Sequence, residues 1–256
     1  MVGIRRFTLV DEYVGRRMGL DLAALPPGRP RVVATPLRLR REQSYGYVRA
    51  LWLSWFADGR SAVSVPPGAA ATVERVIASV SDPEGAFSSS LADALRQEVD
   101  PVLIAHGRKP TDRVIHDVHL ACDASLLRRY RDGACGRVTD QGVPPADGLG
   151  FPTHCLPDGV VYGVTADGAL AAVAYSHKTG VMEDTVADLA VTTAPAYRRR
   201  GFGRTVVSAV VAHFTAAGGE ALYGCSPDNR ASIATARTVG FVPYARTLIL
   251  SAPAEA

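Results

Sequence analysis

One short segment constrains the fold of this chain more than any other. Residues 193–204 join a predicted strand (186–193) to a predicted amphipathic helix (204–217), and the join contains Gly201 and Gly203. The helix carries apolar residues at positions three and four apart, which predicts that one face packs on a sheet. The segment therefore indicates an α/β domain in which a glycine-containing turn leads directly into a packed helix.

The same turn has the properties of a phosphate-binding site. Its glycines allow tight bending, and the first N–H groups of the following helix, together with its positive dipole end, point at one place. Such a helix start can hold a pyrophosphate. The turn lacks the third glycine of the dinucleotide fingerprint and the Gly-Lys-Ser/Thr of a P-loop. Four arginines add positive charge there: Arg198, Arg199, Arg200 and Arg204.

Around this turn the second half of the chain shows a clear order of predicted elements. An Asp167-Gly168 turn between two apolar runs predicts a hairpin, and Asn229 and Gly240 bracket a predicted helix as its N-cap and C-terminal stop. We predict strands at 114–120, 160–165, 169–177, 186–193, 221–225 and 242–250, and helices at 124–131, 204–217 and 230–239.

The spacing Arg198-x-x-Gly201-x-Gly203, followed by Asn229-x-x-Ser232 and Gly240-Phe241, resembles the GNAT superfamily of acyl-CoA-dependent N-acyltransferases. The resemblance covers residues 114–250 and consists of three features in the family's order. It implies a GNAT fold, an α/β class with a mixed, mostly antiparallel twisted sheet flanked by helices. It also implies acetyl-CoA as co-substrate and no metal.

The resemblance assigns acetyl-CoA contacts to matching positions. Backbone groups of 191–193 would bind the pantetheine amides like an added strand, N–H groups of 199–204 would hold the pyrophosphate, and Asn229 would contact the pantetheine arm. The implied cofactor-binding residues are Val191, Thr192, Thr193, Arg198, Arg199, Arg200, Gly201, Phe202, Gly203, Arg204, Asn229 and Ser232.

The sequence departs from the family's pattern at two positions, and the resemblance therefore does not identify the catalytic groups. Family members often have a tyrosine seven residues after the asparagine, where it protonates the leaving thiolate, but that position here is Ala236. Members also often carry glycine at the position of Arg199. Candidate general bases are Asp188, Glu183 and Asp184, with His177 as a fourth. For each, an ordinary solvated or strand-end charge is an equally good interpretation.

The first 110 residues form a predicted N-terminal α/β domain without a phosphate-binding turn, and residues 111–256 form the predicted GNAT domain. The layout of residues 1–110 is similar to the degenerate GNAT-like half of some two-domain members. The run from Trp52 to Trp55 indicates a core strand. A group of arginines fits either a solvated basic face or a site for an acidic substrate: Arg29, Arg31, Arg38, Arg40, Arg41 and Arg49.

Charge, cysteine spacing and apolar runs bear on three further classes: nucleic-acid-binding, metal-binding and membrane proteins. A formal net charge of +3 gives no case for nucleic-acid binding. The four cysteines form no C-x-x-C pair, and His116 and His119 fall on opposite faces of a strand, so we expect no metal site. The start lacks the pattern of a signal peptide, and no apolar run has the length of a membrane span, so we expect a cytoplasmic protein without a membrane partner.

These observations predict an N-acetyltransferase that moves an acetyl group from acetyl-CoA to a primary amine of a small molecule or protein by direct attack. The alternative is a catalytically silent domain that binds and senses acyl-CoA, consistent with Ala236. A third interpretation is other acyl chemistry on the same core. A homodimer stays open.

Overall fold

The computed structural model describes residues 5–42, 46–78, 80, 82–130, 135–139, 142–150, 156 and 159–254. Its contacts divide the chain into two compact units. The first combines Met1–His119 with Pro243–Ala256, and the second is Leu120–Val242. The end of the chain is thus part of the first unit. The division into domains at residues 110 and 111 stays a prediction.

The first unit contains four helices and five strands among its described residues. The helices are α1 (Thr8–Met18), α2 (Ala70–Ile77), α3 (Pro83–Ala86) and α4 (Ser89–Ala105). The strands are β1 (Arg31–Ala34), β2 (Tyr47–Phe56), β3 (Ser61–Val65), β4 (Arg113–Cys122) and β10 (Val242–Pro253). Their order in the sheet is β1-β3-β2-β10-β4, so the last strand of the chain lies beside β2.

One layer of this unit's apolar core packs on the face of the sheet that includes Leu51 and Leu53. Leu51 and Leu53 of β2 pack with Leu248 of β10 and with Leu95 of α4, and all four are fully buried. The prediction of a core strand at Trp52 is confirmed, since that side chain is buried. The first unit therefore has its own apolar core, as an α/β layer arrangement requires.

The arginines of the first unit fall into two groups. Arg29, Arg31, Arg40 and Arg41 are exposed. Arg38 and Arg49 are instead buried, together with Arg17. A solvated basic face therefore describes only the first group.

The second unit is built from a second run of elements. Its strands are β5 (Gly136–Arg137), β6 (Val161–Ala166), β7 (Ala169–Ser176), β8 (Val186–Thr193) and β9 (Glu220–Cys225). Its helices are α5 (Phe202–Ala216) and α6 (Arg230–Val239). The strand order is β9-β8-β7-β6-β5. Strands β5 to β8 pair antiparallel and β8 pairs parallel with β9, which gives the predicted mixed, mostly antiparallel sheet.

Both predicted helices that frame the motif are present. Val206, Val207, Val210, Val211 and Phe214 of α5 are all buried, which confirms the predicted apolar stripe. The carboxamide oxygen of Asn229 accepts a hydrogen bond from the Ser232 N–H at 3.1 Å and so caps α6. Gly240 ends α6 in the left-handed conformation, with φ 114°. Local capping thus fixes where α6 begins and ends.

The predicted helix at 124–131 is wrong. Asp123 caps a single turn by accepting from the Ser125 and Leu126 N–H groups at 2.9 and 3.2 Å. The chain then leaves the turn, and the Arg128 N–H donates to the Val239 carbonyl at 2.7 Å. This long-range bond replaces the bond that a helix would need at Arg128, and the Tyr130 N–H then donates to the Ser208 hydroxyl of α5 at 3.3 Å, so the chain does not continue the turn.

Strand β1 of the first unit is short. It ends at Ala34, and a 3₁₀ turn follows over Pro36–Leu39. The Thr35 hydroxyl accepts from the Leu37 N–H at 3.3 Å and caps this turn. A threonine cap followed by a proline in the first turn favours this 3₁₀ turn over a longer strand.

Candidate functional site

A cleft of about 590 Å³ opens in the second unit where β8, α5 and α6 meet. Eleven of the twelve predicted cofactor-binding residues line it; Arg200 does not. Two further aromatic residues that the sequence did not single out, Tyr197 and Tyr223, also line it. The structure thus brings together the motif residues from three separate elements.

One wall of the cleft is the end of β8. Strand β9 pairs with β8 only from Val186 to Leu189, and the last pair is Leu189 with Tyr223. On its other side β8 stays paired with β7 as far as Thr193. Residues 190–193 are accordingly half-buried, whereas the first four residues of β8 are buried. The two parallel strands part at this point, and the β8 backbone beyond it borders the cleft.

The turn before α5 has the backbone geometry that a phosphate cradle requires. Arg199 has φ 62° and Gly201 has φ 88°, so both lie in the left-handed region. A Cβ on Gly201 would lie 2.9 Å from the Tyr130 hydroxyl, so this position accepts glycine alone without rearrangement. Position 199 takes the same backbone conformation with an arginine, which explains why a glycine there is compatible with the turn.

Positive charge lines the phosphate end of the cleft. Arg198 donates from Nε to the Thr193 carbonyl at 3.3 Å, and Arg204 stacks with its Cζ 4.6 Å from the Tyr130 ring centre. Arg200 does not line the cleft, but its guanidinium carbon lies 5.1 Å from the ring centre of Tyr197, which does. Among the described residues the lining contains no carboxylate. This electrostatic pattern suits an anionic ligand.

The opposite wall carries two hydroxyls in contact. The Tyr223 hydroxyl lies 2.7 Å from the Ser232 hydroxyl, and Tyr223 is almost fully buried against Phe241. Burial raises the pKa of Tyr223 to about 12, so the phenol keeps its proton at neutral pH. Sequence reasoning missed Tyr223. The only available signal was its place near the end of a strand that precedes the Asn229 motif.

Ser232 and Ala236 occupy one face of α6, one turn apart. Ala236 is fully buried and does not line the cleft, whereas Ser232 does. Helical side chains lean toward the helix N-terminus, so a long side chain at 236 would reach the surface over Ser232. The Tyr223–Ser232 hydroxyl pair lies beside that surface.

The three candidate bases lie outside the cleft lining. Asp188 is buried within β8. Glu183 accepts from the Gly180 N–H at 2.5 Å, which closes its own loop, and Asp184 is exposed. His177 follows β7, and its N–H donates to the Asp188 carbonyl at 2.7 Å. The structure therefore does not bring these carboxylates together with the phosphate turn.

The described part of the chain shows neither a metal-binding cluster nor a membrane-spanning helix. It contains no group of three or more His, Cys, Asp or Glu side chains with the arrangement of a metal site. None of its helices combines the length and the apolar character that crossing a bilayer requires. Cys122 is buried, Cys135 and Cys225 are half-buried, and Cys155 lies outside the described residues.

The second unit thus combines two parallel strands that part with a basic glycine turn at the start of a helix. In agreement, residues 139–241 match the family model described as Acetyltransferase (GNAT) family. The segment 139–241 within the second unit therefore has the sequence pattern of the GNAT family, and both the predicted family resemblance and the predicted fold class are confirmed. Members of this family are generally acyltransferases.

Three solved structures that are similar to this chain differ in sequence identity and in the share of each chain that is covered. A GNAT-family protein from Novosphingobium aromaticivorans is 23% identical, with 57% of this chain and 67% of that chain covered and a TM-score of 0.47. A GCN5-related N-acetyltransferase from Kribbella flavida is 19% identical, with 60% and 64% covered and a TM-score of 0.42. The ribosomal-protein-S18-alanine N-acetyltransferase from Escherichia coli is 17% identical, with 48% and 95% covered and a TM-score of 0.35.

The chain covers slightly less than two thirds of the Kribbella flavida protein and slightly more than two thirds of the Novosphingobium aromaticivorans protein. A comparison with curated proteins gives no match. The family assignment therefore depends on the family model.

Proposed function

We propose that the second unit transfers an acetyl group from acetyl-CoA to a primary amine of a small molecule or protein. One observation carries the proposal: the end of β8 and the start of α5 open into a single cleft that contains the motif residues. A strand edge can bind the amides of an extended arm, and a helix start can bind phosphate. Pantetheine and pyrophosphate have this chemistry in this order.

In the proposed complex each wall has one task. The backbone of 191–193 pairs with the pantetheine amides on the side that β9 leaves. The N–H groups of 199–204 hold the pyrophosphate, assisted by Arg198 and Arg204. Because Oδ1 of Asn229 already caps α6, its Nδ2 is the group that contacts the pantetheine arm.

The chemistry requires no enzyme nucleophile. The neutral amine attacks the thioester carbonyl, a C–N bond forms, and the C–S bond breaks to release the CoA thiolate. The cleft holds the two reactants in attack geometry, which converts a bimolecular step into an effectively unimolecular one. The amine loses one proton and the thiolate gains one, so the enzyme needs a proton acceptor and a donor.

We assign the donor to Ser232, oriented by Tyr223. Either hydroxyl of this pair can be the donor; in the proposed arrangement the buried phenol donates to the Ser232 oxygen, and the Ser232 proton is then available to a group in the cleft. That proton can stabilise the departing sulfur by a hydrogen bond. Tyr223 of β9 and Ser232 of α6 together thus provide a hydroxyl in place of the one that Ala236 lacks.

The acceptor of the amine proton stays among the candidates Asp188, Glu183 and Asp184. Since none lines the cleft, each would act through a water molecule. A cytoplasmic location and a homodimer also stay proposals.

A second candidate function has its own support. Ala236 and the distance of the carboxylates from the cleft lining favour a catalytically silent domain that binds acyl-CoA as a sensor. Both functions need the same donor cleft, and they differ only in turnover.

Product mass spectrometry separates the two. The full chain is incubated with acetyl-CoA and a panel of primary amines, and acetylated products and free CoA are quantified against a boiled control. An amine-dependent gain of one acetyl group supports the transferase. Saturable acetyl-CoA binding without product for any amine in the panel supports the sensor.

A further inference from the structure

The first unit contains three arginines around one indole ring. The guanidinium carbons of Arg17, Arg38 and Arg49 lie 5.3, 5.6 and 4.7 Å from the ring centre of Trp52. All four side chains are buried. We call these three arginines and Trp52 the arginine cluster. Three charged groups in a buried place require compensation, because removing an ion from water is costly.

The described residues compensate only part of this charge. Glu42 forms ion pairs with Arg17 at 2.7 Å and with Arg49 at 3.7 Å. Arg38 forms no ion pair in the described ranges, and one of its terminal nitrogens donates to the Arg17 carbonyl. Burial lowers the pKa of Arg38 to about 9, and the neighbouring Arg49 and Arg17 add to this shift while Glu42 opposes it. Among the described residues, Glu42 is the carboxylate that faces these three arginines, and Arg38 itself forms no ion pair with it.

The same place contains hydrogen-bond donors without acceptors. Within the described residues, Nε and Nη1 of Arg38 and Nε1 of Trp52 are buried and have no hydrogen-bond partner. Arg38 is only 1% exposed. These groups can only donate, so other donors nearby cannot satisfy them.

The unpartnered groups continue along one face of the β2–β10 ladder. Trp52 and Ser54 lie two residues apart on β2, and Ser54 is directly opposite Thr247. In the described part of the chain, the hydroxyls of Ser54 and Thr247 are also buried without a hydrogen-bond partner. Hydroxyls can donate to an anion as readily as they accept. The face therefore presents a band of donors next to excess positive charge.

We propose that the arginine cluster binds an oxyanion, the carboxylate or phosphate group of a small ligand. A water molecule would satisfy a donor but leave the charge, whereas an oxyanion satisfies both. The planar guanidinium fork suits carboxylate and phosphate oxygens, and the indole N–H adds a donor. This site lies in the first unit and does not depend on the proposed acetyl transfer.

Tryptophan emission tests the proposal directly. The sequence has two tryptophans, and the half-buried Trp55 packs on the apolar core of the first unit, so Trp55→Phe leaves Trp52 as the single reporter. This full-length variant is titrated with inorganic phosphate and separately with succinate, at constant ionic strength set with sodium chloride. Thermal unfolding is followed in the same solutions.

The matched variants are Arg38→Met and Arg40→Met. Both remove one arginine of the same turn region, but Arg40 is exposed and lies outside the cluster. We expect a saturable change of Trp52 emission and a higher Tm with at least one anion. The affinity should stay within about twofold in Arg40→Met and fall at least tenfold in Arg38→Met. A response to phosphate alone identifies a phosphate ligand, and a response to succinate alone a carboxylate ligand.

Two results would overturn the proposal. The first is the absence of a saturable response to both anions in the chain that retains Arg38. The second is an equal affinity in Arg38→Met and Arg40→Met. If Arg38→Met does not fold, the titration of the Trp55→Phe chain decides alone, because Trp52 lies within the cluster it reports.

Discussion

The hydroxyl of Tyr223 lies 2.7 Å from the hydroxyl of Ser232, and the two residues come from different elements of the second unit. Tyr223 stands at the last paired position of β9 with β8, so the pair lies where the two parallel strands part. A thioester carbonyl held against the end of β8 would be close to this pair. The relationship gives a physical account of how a chain with Ala236 can still assist a leaving thiolate.

Replacement of Ser232 by alanine should lower kcat by about 10- to 100-fold, because a positioned proton donor contributes on the order of 10²-fold or more. Replacement of Tyr223 by phenylalanine should lower kcat by several-fold, since Ser232 keeps its hydroxyl but loses its orientation. Both variants should retain acetyl-CoA affinity within about threefold. Steady-state kinetics and calorimetry on the same preparations measure the two effects.

The control for this prediction is Thr215→Ala. The Thr215 hydroxyl lies on α5 outside the cleft lining and donates to the Val211 carbonyl at 2.8 Å. Its removal should leave kcat unchanged. Wild-type kcat in Ser232→Ala would exclude the assigned proton donor.

Alkaline pH should destabilise the protein in part through Tyr223. Its pKa is about 12 in the folded chain because of burial, against an ordinary value of 10.0. Below pH 10 both states hold the proton, and between pH 10 and 12 the unfolded state loses it first. The free energy of unfolding should therefore fall as pH rises through this window, by up to about 3 kcal/mol from this group. Urea unfolding of wild type and Tyr223→Phe at pH 9, 10 and 11 measures it, and equal pH dependence in the two would contradict it.

Gly240→Ala should destabilise the protein by more than about 3 kcal/mol. Gly240 has φ 114°, and an added Cβ would lie 2.0 Å from the Leu126 carbonyl oxygen, so backbone must move. The matched control is Gly218→Ala, with φ 80° but nothing within 4 Å of the added Cβ. The control should lose about 1 kcal/mol, the cost of the left-handed conformation alone. Similar losses in urea unfolding for the two variants would refute the steric argument.

Arg199→Gly should preserve acetyl-CoA affinity within about threefold, since the turn uses the N–H group of this residue and glycine adopts its φ of 62° without cost. Arg199→Ala keeps the strained conformation and removes the same charge, so it serves as the control. Calorimetry should give similar affinities for both variants. A loss of tenfold or more in both would mean that the side chain, and not the backbone, holds the phosphate.

Most features of the fold that depend on residues close together in the chain are predicted from the sequence. The glycine turn, the apolar stripe of α5 and the Asn229 cap all depend on residues close in sequence, and the structure places them as expected. The failed helix at 124–131 shows the limit. Its end is decided by the hydrogen bond from Arg128 to Val239, two residues far apart in the chain. Helix propensity contains no information about such a bond.

Contacts between residues far apart in the chain also determine the positions of residues that the sequence analysis did not predict. Tyr223 gains its role only because β9 parts from β8 beside Ser232. Arg38 resembles its exposed neighbour Arg40 in sequence, yet the fold buries it against Trp52. The strand β10 joins the first unit although it follows the second unit in the chain. None of these facts has a local signature.

The measurement that tests the central claim most directly is calorimetric titration of acetyl-CoA into three proteins: wild type, Gly203→Trp and Ala216→Trp. Gly203 lines the cleft near Thr193, and a large side chain there should fill the phosphate end. Ala216 lies exposed at the other end of the same helix and controls for the added indole. The account predicts micromolar binding to wild type and Ala216→Trp and loss of binding in Gly203→Trp. No binding to wild type, or equal binding to all three, would contradict it.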